Sequence, residues 1–148
     1  MGKAALFTGG LLWMLAVFCR AEEQLPLVKT GEHYLLRARA SAAGAGRGKL
    51  QLEIAVTDGW KLNRKAPLLV KVSPGEGWQM EKTSWSAKDA ARLEDRLCRF
   101  EIPYQASSAA VLRLEFNFVI CNDMLCQKKK FSLDYRPGEK EGDSRRAP

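Results

Sequence analysis

Between Val111 and Tyr135 the chain reads VLRLEFNFVICNDMLCQKKKFSLDY, and the alternation in this stretch leaves it few ways to fold. Leu112, Leu114, Phe116, Phe118 and Ile120 occupy every second position, with Arg113, Glu115, Asn117 and Val119 between them. Alternate side chains of a strand point to opposite faces, so this period predicts a half-buried strand with Cys121 on its polar side. After Asn-Asp-Met-Leu the period returns, with Phe131, Leu133 and Tyr135 on one face and Cys126, Lys128, Lys130 and Ser132 on the other.

Residues five apart in an extended strand lie roughly 16 Å apart on opposite faces, so Cys121 and Cys126 meet only if the chain turns between them. Asn122 and Asp123 suit a turn. A hairpin with the loop 122–125 sets position 121 opposite 126, Phe116 opposite Phe131, Leu114 opposite Leu133 and Arg113 opposite Asp134. The apolar pairs and the opposite-charge pair all agree with that register. Both thiols then face outward as cross-strand neighbours, close enough for a disulfide with little backbone movement.

The rest of the chain supplies material for one domain: 148 residues, 46% hydrophobic and 28% charged. Residues 1–21, MGKAALFTGGLLWMLAVFCRA, combine Lys3, an apolar run from Ala4 to Phe18 and a small-x-small Cys19-Arg20-Ala21. That pattern predicts a secretory signal peptide cleaved after Ala21, and hence a periplasmic or secreted protein. A retained anchor is the weaker alternative, because a membrane span needs about 20 apolar residues. Lipidation at Cys19 is weaker still, since Phe18 is large where a small residue is wanted. Cleavage would remove Lys3 and Arg20, leaving 22 basic against 17 acidic residues, a net charge of +5. That excess is spread along the chain without a stripe of aromatic and basic residues, which argues against a nucleic-acid partner.

Export places the protein where disulfides persist. The mature chain keeps Cys98, Cys121 and Cys126, an odd number, so one stays unpaired in the monomer. In LCRFEIPY, Cys98 shares a side with Phe100 and Ile102 and reads as a small buried hydrophobe. Other strands are expected at His33–Ala40, at Leu50–Thr57 and at Leu68–Ser73, in an extended stretch from Trp78 to Trp85, and near 97–104. Glu22–Glu32 reads as an arm or edge strand, and Ala87–Asp95 as one or two helical turns or an irregular loop. GAGRG at 44–48 lacks the Lys and Ser/Thr of a phosphate-binding loop and reads as a linker. About seven short strands with frequent turns predict an all-β fold, an immunoglobulin-like antiparallel β-sandwich over 22–135. The tail 136–148 has no apolar residue to dock and is expected to be disordered.

Two segments, DGWKLNRKAPLLVKV at 58–72 and LRLEFNFVICNDMLCQKK at 112–129, resemble the N-terminal periplasmic domain of the thiol:disulfide interchange protein DsbD and its stand-alone relatives, the disulfide bond corrector domains. The cysteine hairpin is the specific part of the resemblance. It implies an immunoglobulin-like domain in which Cys121 and Cys126 cycle between dithiol and disulfide. Electrons would come from a membrane electron-transport protein or a thioredoxin-like donor, a separate polypeptide, and pass to oxidised periplasmic proteins. Membrane contact would be made only through that partner. Whether such a protein is a protein-disulfide reductase in its own right stays open. Gln127 and Lys128 stand where many relatives have an apolar residue and proline, and Cys98 has no counterpart. In the family, the segment between Trp78 and Trp85 would shield the cysteines from oxidants.

Two other functions compete. A hairpin disulfide closing so short a loop contributes about 2 kcal/mol through chain entropy. It would serve as an inert staple in a non-catalytic binding or assembly module. Alternatively, Cys121, Met124 and Cys126 offer three soft donors for Cu(I), although Met124 reads more readily as a loop-tip residue packed on the sandwich. His33, the single histidine, is remote in sequence, which gives a Cys-His dyad or zinc site little support. No cofactor and no metal is expected. Trp60 reads as core.

Overall fold

The computed structural model of the chain describes residues 25–42, 46–108 and 110–137. The expected signal segment 1–21 lies outside the described residues, as does the expected disordered tail beyond Pro137.

Each run of period-two alternation becomes a strand. In chain order these are β1 (Leu27–Gly31), β2 (Tyr34–Ala42), β3 (Arg47–Val56), β4 (Lys61–Leu62), β5 (Leu69–Ser73), β6 (Trp78–Gln79), β7 (Ser84–Ser86), β8 (Arg92–Leu93), β9 (Leu97–Ala106), β10 (Leu112–Cys121) and β11 (Cys126–Tyr135). One sheet has the order β1-β2-β3-β9-β6, with β8 also pairing β9; the other runs β11-β10-β5-β7, with β4 also pairing β10. All pairings are antiparallel. The fold is the expected all-β, immunoglobulin-like sandwich.

The inner faces of the two sheets build the core. Leu50, Leu52 and Ile54 of β3, with Cys98, Phe100 and Ile102 of β9, meet Leu112, Leu114, Phe118 and Ile120 of β10 and Val70 and Val72 of β5. Burying a large aliphatic or aromatic side chain contributes about 1.5–3 kcal/mol relative to leaving it exposed, so these two faces dominate the stability. Trp60 is buried, as expected. On the outer face of the first sheet, the in-register residues Arg37, Glu53 and Arg99 form an ion-pair ladder. Arg37 donates to Glu53 Oε1 at 2.8 Å and Arg99 to Oε2 at 2.6 Å, which satisfies a carboxylate only 5% exposed.

The structure has more strands than the roughly seven expected, because several are only two or three residues long. The extended stretch 78–85 divides: β6 adds to β9 in one sheet, and β7 adds to β5 in the other. The segment 87–95 holds a single 3-10 turn at Ala87–Asp89 followed by β8.

The pairing gathers several turns at one end. Tyr34 lies opposite Val56, so the β1–β2 turn sits beside the Asp58-Gly59 turn that follows β3. Gly59 has φ +83°, a left-handed conformation that glycine adopts without a Cβ penalty. Leu62 pairs with Ile120, bringing β4 to the last residues of β10. Lys129 lies 3.7 Å from Glu32, joining β11 to the same end.

Candidate functional site

The β10–β11 hairpin is in register from Leu112 opposite Tyr135 to Cys121 opposite Cys126, and it includes every pair expected from the sequence. Phe116 and Phe131 stack with ring centroids 5.3 Å apart. The turn is closed by its own polar groups. Asn122 N donates to Leu125 O at 3.0 Å, while Asn122 Oδ1 accepts from Met124 N at 2.9 Å and Leu125 N at 2.8 Å. Asn is suited to this position because its side-chain carbonyl mimics a backbone acceptor.

Cys121 and Cys126 are joined by a disulfide, with an S–S distance of 2.04 Å and Cα atoms 4.0 Å apart. Cys126 is exposed and Cys121 half-buried, both on the outer face of the sheet. Beside them Met124 is 91% exposed and Leu125 49%, the exposed large hydrophobic side chains of the described residues. The expectation that Met124 packs on the sandwich is therefore wrong.

On the other side of Cys121 from its disulfide partner lies Lys61, in register on β4. The row Lys61, Cys121, Cys126 thus crosses three adjacent strands. Lys128 is two residues beyond Cys126 on the same face, and Asp123 sits in the turn. Arg64 pairs with Asp95 at 3.2 Å, and Arg96 pairs with Asp58, so those charges are locally compensated. Sequence reading found Lys128 and Asp123 but missed Lys61, whose place beside Cys121 comes from long-range strand pairing. His33 also belongs to this end. It stacks on Trp60 with ring centroids 4.3 Å apart, despite its distance in sequence.

Cys98 is fully buried in the core, as expected, and burial pushes its thiol up to about 12. It projects inward from the first sheet while the disulfide lies on the outer face of the second, so Cys98 is shielded from it by the core. Among the described residues, no group of three or more His, Cys, Asp or Glu side chains is placed to hold a metal ion. The shielding role that the resemblance implies for 78–85 is not met. Trp78 pairs with Ala106, and β7 follows β5, which pairs with β10 at 113–117, away from the cysteines. Trp78 and Trp85 are buried.

No family model matches the chain, and no curated protein matches it by sequence. Similar solved structures include the GAE domain of yeast GGA1, with a TM-score of 0.47 and 7% identity over 76% of this chain and 99% of that one. The GAE domain of GGA2p from Saccharomyces cerevisiae has a TM-score of 0.47 and 8% identity, over 74% of this chain and 95% of the other. The N-terminal periplasmic domain of ScsB from Proteus mirabilis has a TM-score of 0.49 and 19% identity over 77% of this chain. The aligned part spans 51% of the ScsB chain, about half its length. These are likenesses of general outline.

Proposed function

We propose that this protein is an extracytoplasmic thiol:disulfide exchange module whose working group is the Cys121–Cys126 pair. One observation carries the reading. The disulfide is reachable at the tip of a hairpin that hydrogen bonds and ring stacking already hold closed. A staple would be better placed across a long loop, where it removes more chain entropy. The DsbD-like cysteine hairpin and the expected signal segment support the same reading, and a persisting surface disulfide suits an oxidising compartment.

The difference in exposure supports a division of roles between the cysteines. A thiolate of a thioredoxin-like or membrane electron-transport partner attacks Sγ of Cys126, the more exposed cysteine. The Cys121–Cys126 bond breaks, its electron pair passes to Cys121 Sγ, and a mixed disulfide to Cys126 forms. The partner's second thiolate then attacks its own sulfur in that mixed disulfide and releases Cys126. The partner is oxidised by two electrons and the pair becomes a dithiol. Toward an oxidised extracytoplasmic protein the sequence reverses: Cys126 attacks, and Cys121 resolves the mixed disulfide. Met124 and Leu125 supply an apolar contact beside the attacked sulfur. No cofactor is needed.

The test is to trap the intermediate. A thioredoxin lacking its resolving cysteine, mixed with the oxidised protein, is expected to form a disulfide-linked adduct through Cys126, identified by peptide mass mapping. Failure to form an adduct, while dithiothreitol reduces the same bond, would count against exchange with a protein partner.

A further inference from the structure

Lys61 and Cys121 are far apart in sequence and side by side in the fold. The short strand that carries Lys61 is fixed by its neighbours. Leu62 and Lys61 pair with Ile120 and Cys121, Leu62 N donates to Asp95 O at 2.6 Å, and Asn63 N donates to Val119 O at 2.8 Å. Directly opposed residues on antiparallel strands share a sheet face, with Cβ atoms about 4.5–5.5 Å apart. The Lys61 stem therefore rises from the outer face next to Cys121 Sγ, within reach of its ammonium. Lys61 makes no ion pair among the described residues, so its charge is not neutralised by another group.

We propose that Lys61 stabilises the Cys121 thiolate and thereby makes Cys121 the leaving sulfur of the exchange reaction. The proposal rests on the exchange reading given above. When a partner thiolate attacks Cys126, the electron pair of the broken bond comes to rest on Cys121 Sγ, which the ammonium of the directly opposed Lys61 can reach. In the dithiol the same cation lowers the Cys121 pKa, as a neighbouring lysine does for other cysteines. Stabilising the reduced state also makes the pair more oxidising.

Lys128, on β11 beyond Cys126, is diagonal to Cys121 and adds a weaker effect of the same sign. Asp123, in the turn, opposes both. Asp58 pairs with Arg96, and Arg64 with Asp95, so neither pair offers a net charge. Lys65 follows in the turn capped by Asn63 Oδ1. Two flanking lysines against one aspartate leave the balance in favour of the thiolate, and Lys61 is the directly opposed member.

The experiment titrates Cys121 by its ultraviolet thiolate absorbance in a Cys126→Ser protein. Cys98, pushed up to about 12, stays silent through neutral and mildly alkaline pH. The midpoint is expected about one unit below the ordinary cysteine value of about 8.5. Lys61→Gln should raise it by about half a unit, Lys61→Glu by more, and Lys61→Arg should restore it; Lys128→Gln should move it less than Lys61→Gln. In the intact pair at about pH 9, above both midpoints, Lys61→Gln should shift the equilibrium with glutathione about threefold toward the disulfide, or about 14 mV at 29.6 mV per tenfold. A midpoint and an equilibrium constant that both ignore Lys61→Gln and Lys61→Glu would overturn the proposal while leaving exchange intact. A wild-type pair too reducing and too slow to exchange would instead remove the underlying reading, whatever Lys61 does. Lys61 is exposed, so thermal melts of all variants should coincide and exclude a folding defect.

Discussion

Reducing the Cys121–Cys126 bond should leave the protein folded, and the size of the loss can be worked from the structure. The cysteines are five residues apart, so the bond closes a loop of about six residues. The chain-entropy relation for such a loop gives about 7 cal/mol/K, or about 2 kcal/mol at 25 °C. Native domains have about 5–15 kcal/mol of stability, so the reduced protein remains mostly folded. The hairpin keeps its other ties: the Phe116–Phe131 stack, the in-register ladder, and the Asn122 side chain across the turn. Truncating Phe116, 3% exposed in the core, should cost more, about 3–5 kcal/mol. The assay is urea unfolding of the oxidised protein, the chemically reduced protein, the Cys121→Ser/Cys126→Ser double variant and Phe116→Ala, followed by tryptophan fluorescence. The reduced and double-variant proteins should agree within error and both outlast Phe116→Ala. A loss above about 5 kcal/mol on reduction, or disappearance of the cooperative transition, would instead make the bond a structural staple.

Cys98 sets an alkaline limit. Its folded value of about 12 lies above the unfolded value of about 8.5, so its contribution is intact below about pH 8.5 and is lost as pH rises toward 12. Stability should fall by about 1.4 kcal/mol per pH unit through that window, and Cys98→Ala should remove this component of the slope in urea midpoints measured against pH. Asn122→Ala removes the acceptor for Met124 N and Leu125 N and should cost about 1 kcal/mol by the same assay, with the disulfide still formed. Met124→Ser with Leu125→Ser should change stability by less than about 0.5 kcal/mol, since both side chains are exposed. The same pair of changes should slow reduction by thioredoxin several-fold and leave reduction by dithiothreitol unchanged. Equal rates with thioredoxin would show that the tip makes no productive contact.

The hairpin was readable because everything that fixes it is local. Ten residues of clean alternation, a turn-forming Asn-Asp and a second run of alternation determine the register without reference to the rest of the chain. Cys98 was readable for a similar reason, since it shares a face with Phe100 and Ile102. Lys61 was not, because only the pairing of β4 with the end of β10 brings it to Cys121, and nothing in a two-residue strand announces its partner. His33 escaped in the same way, since sequence distance says little once β2 and β3 fold back together. The short strands β6, β7 and β8 are too brief to show a period, which is why 78–85 read as one extended piece while it spans two sheets. Met124 was misread because apolar character alone does not say whether a core lies within reach.

The most direct test of the exchange reading is the reduction potential of the Cys121/Cys126 pair, measured by equilibration with glutathione or dithiothreitol buffers in a Cys98→Ala protein lacking residues 1–21. A value between about −270 and −120 mV is expected, the range in which thiol:disulfide exchange proteins operate. A value below about −300 mV, with sulfurs slow to react, would contradict it and leave the hairpin bond as a structural one.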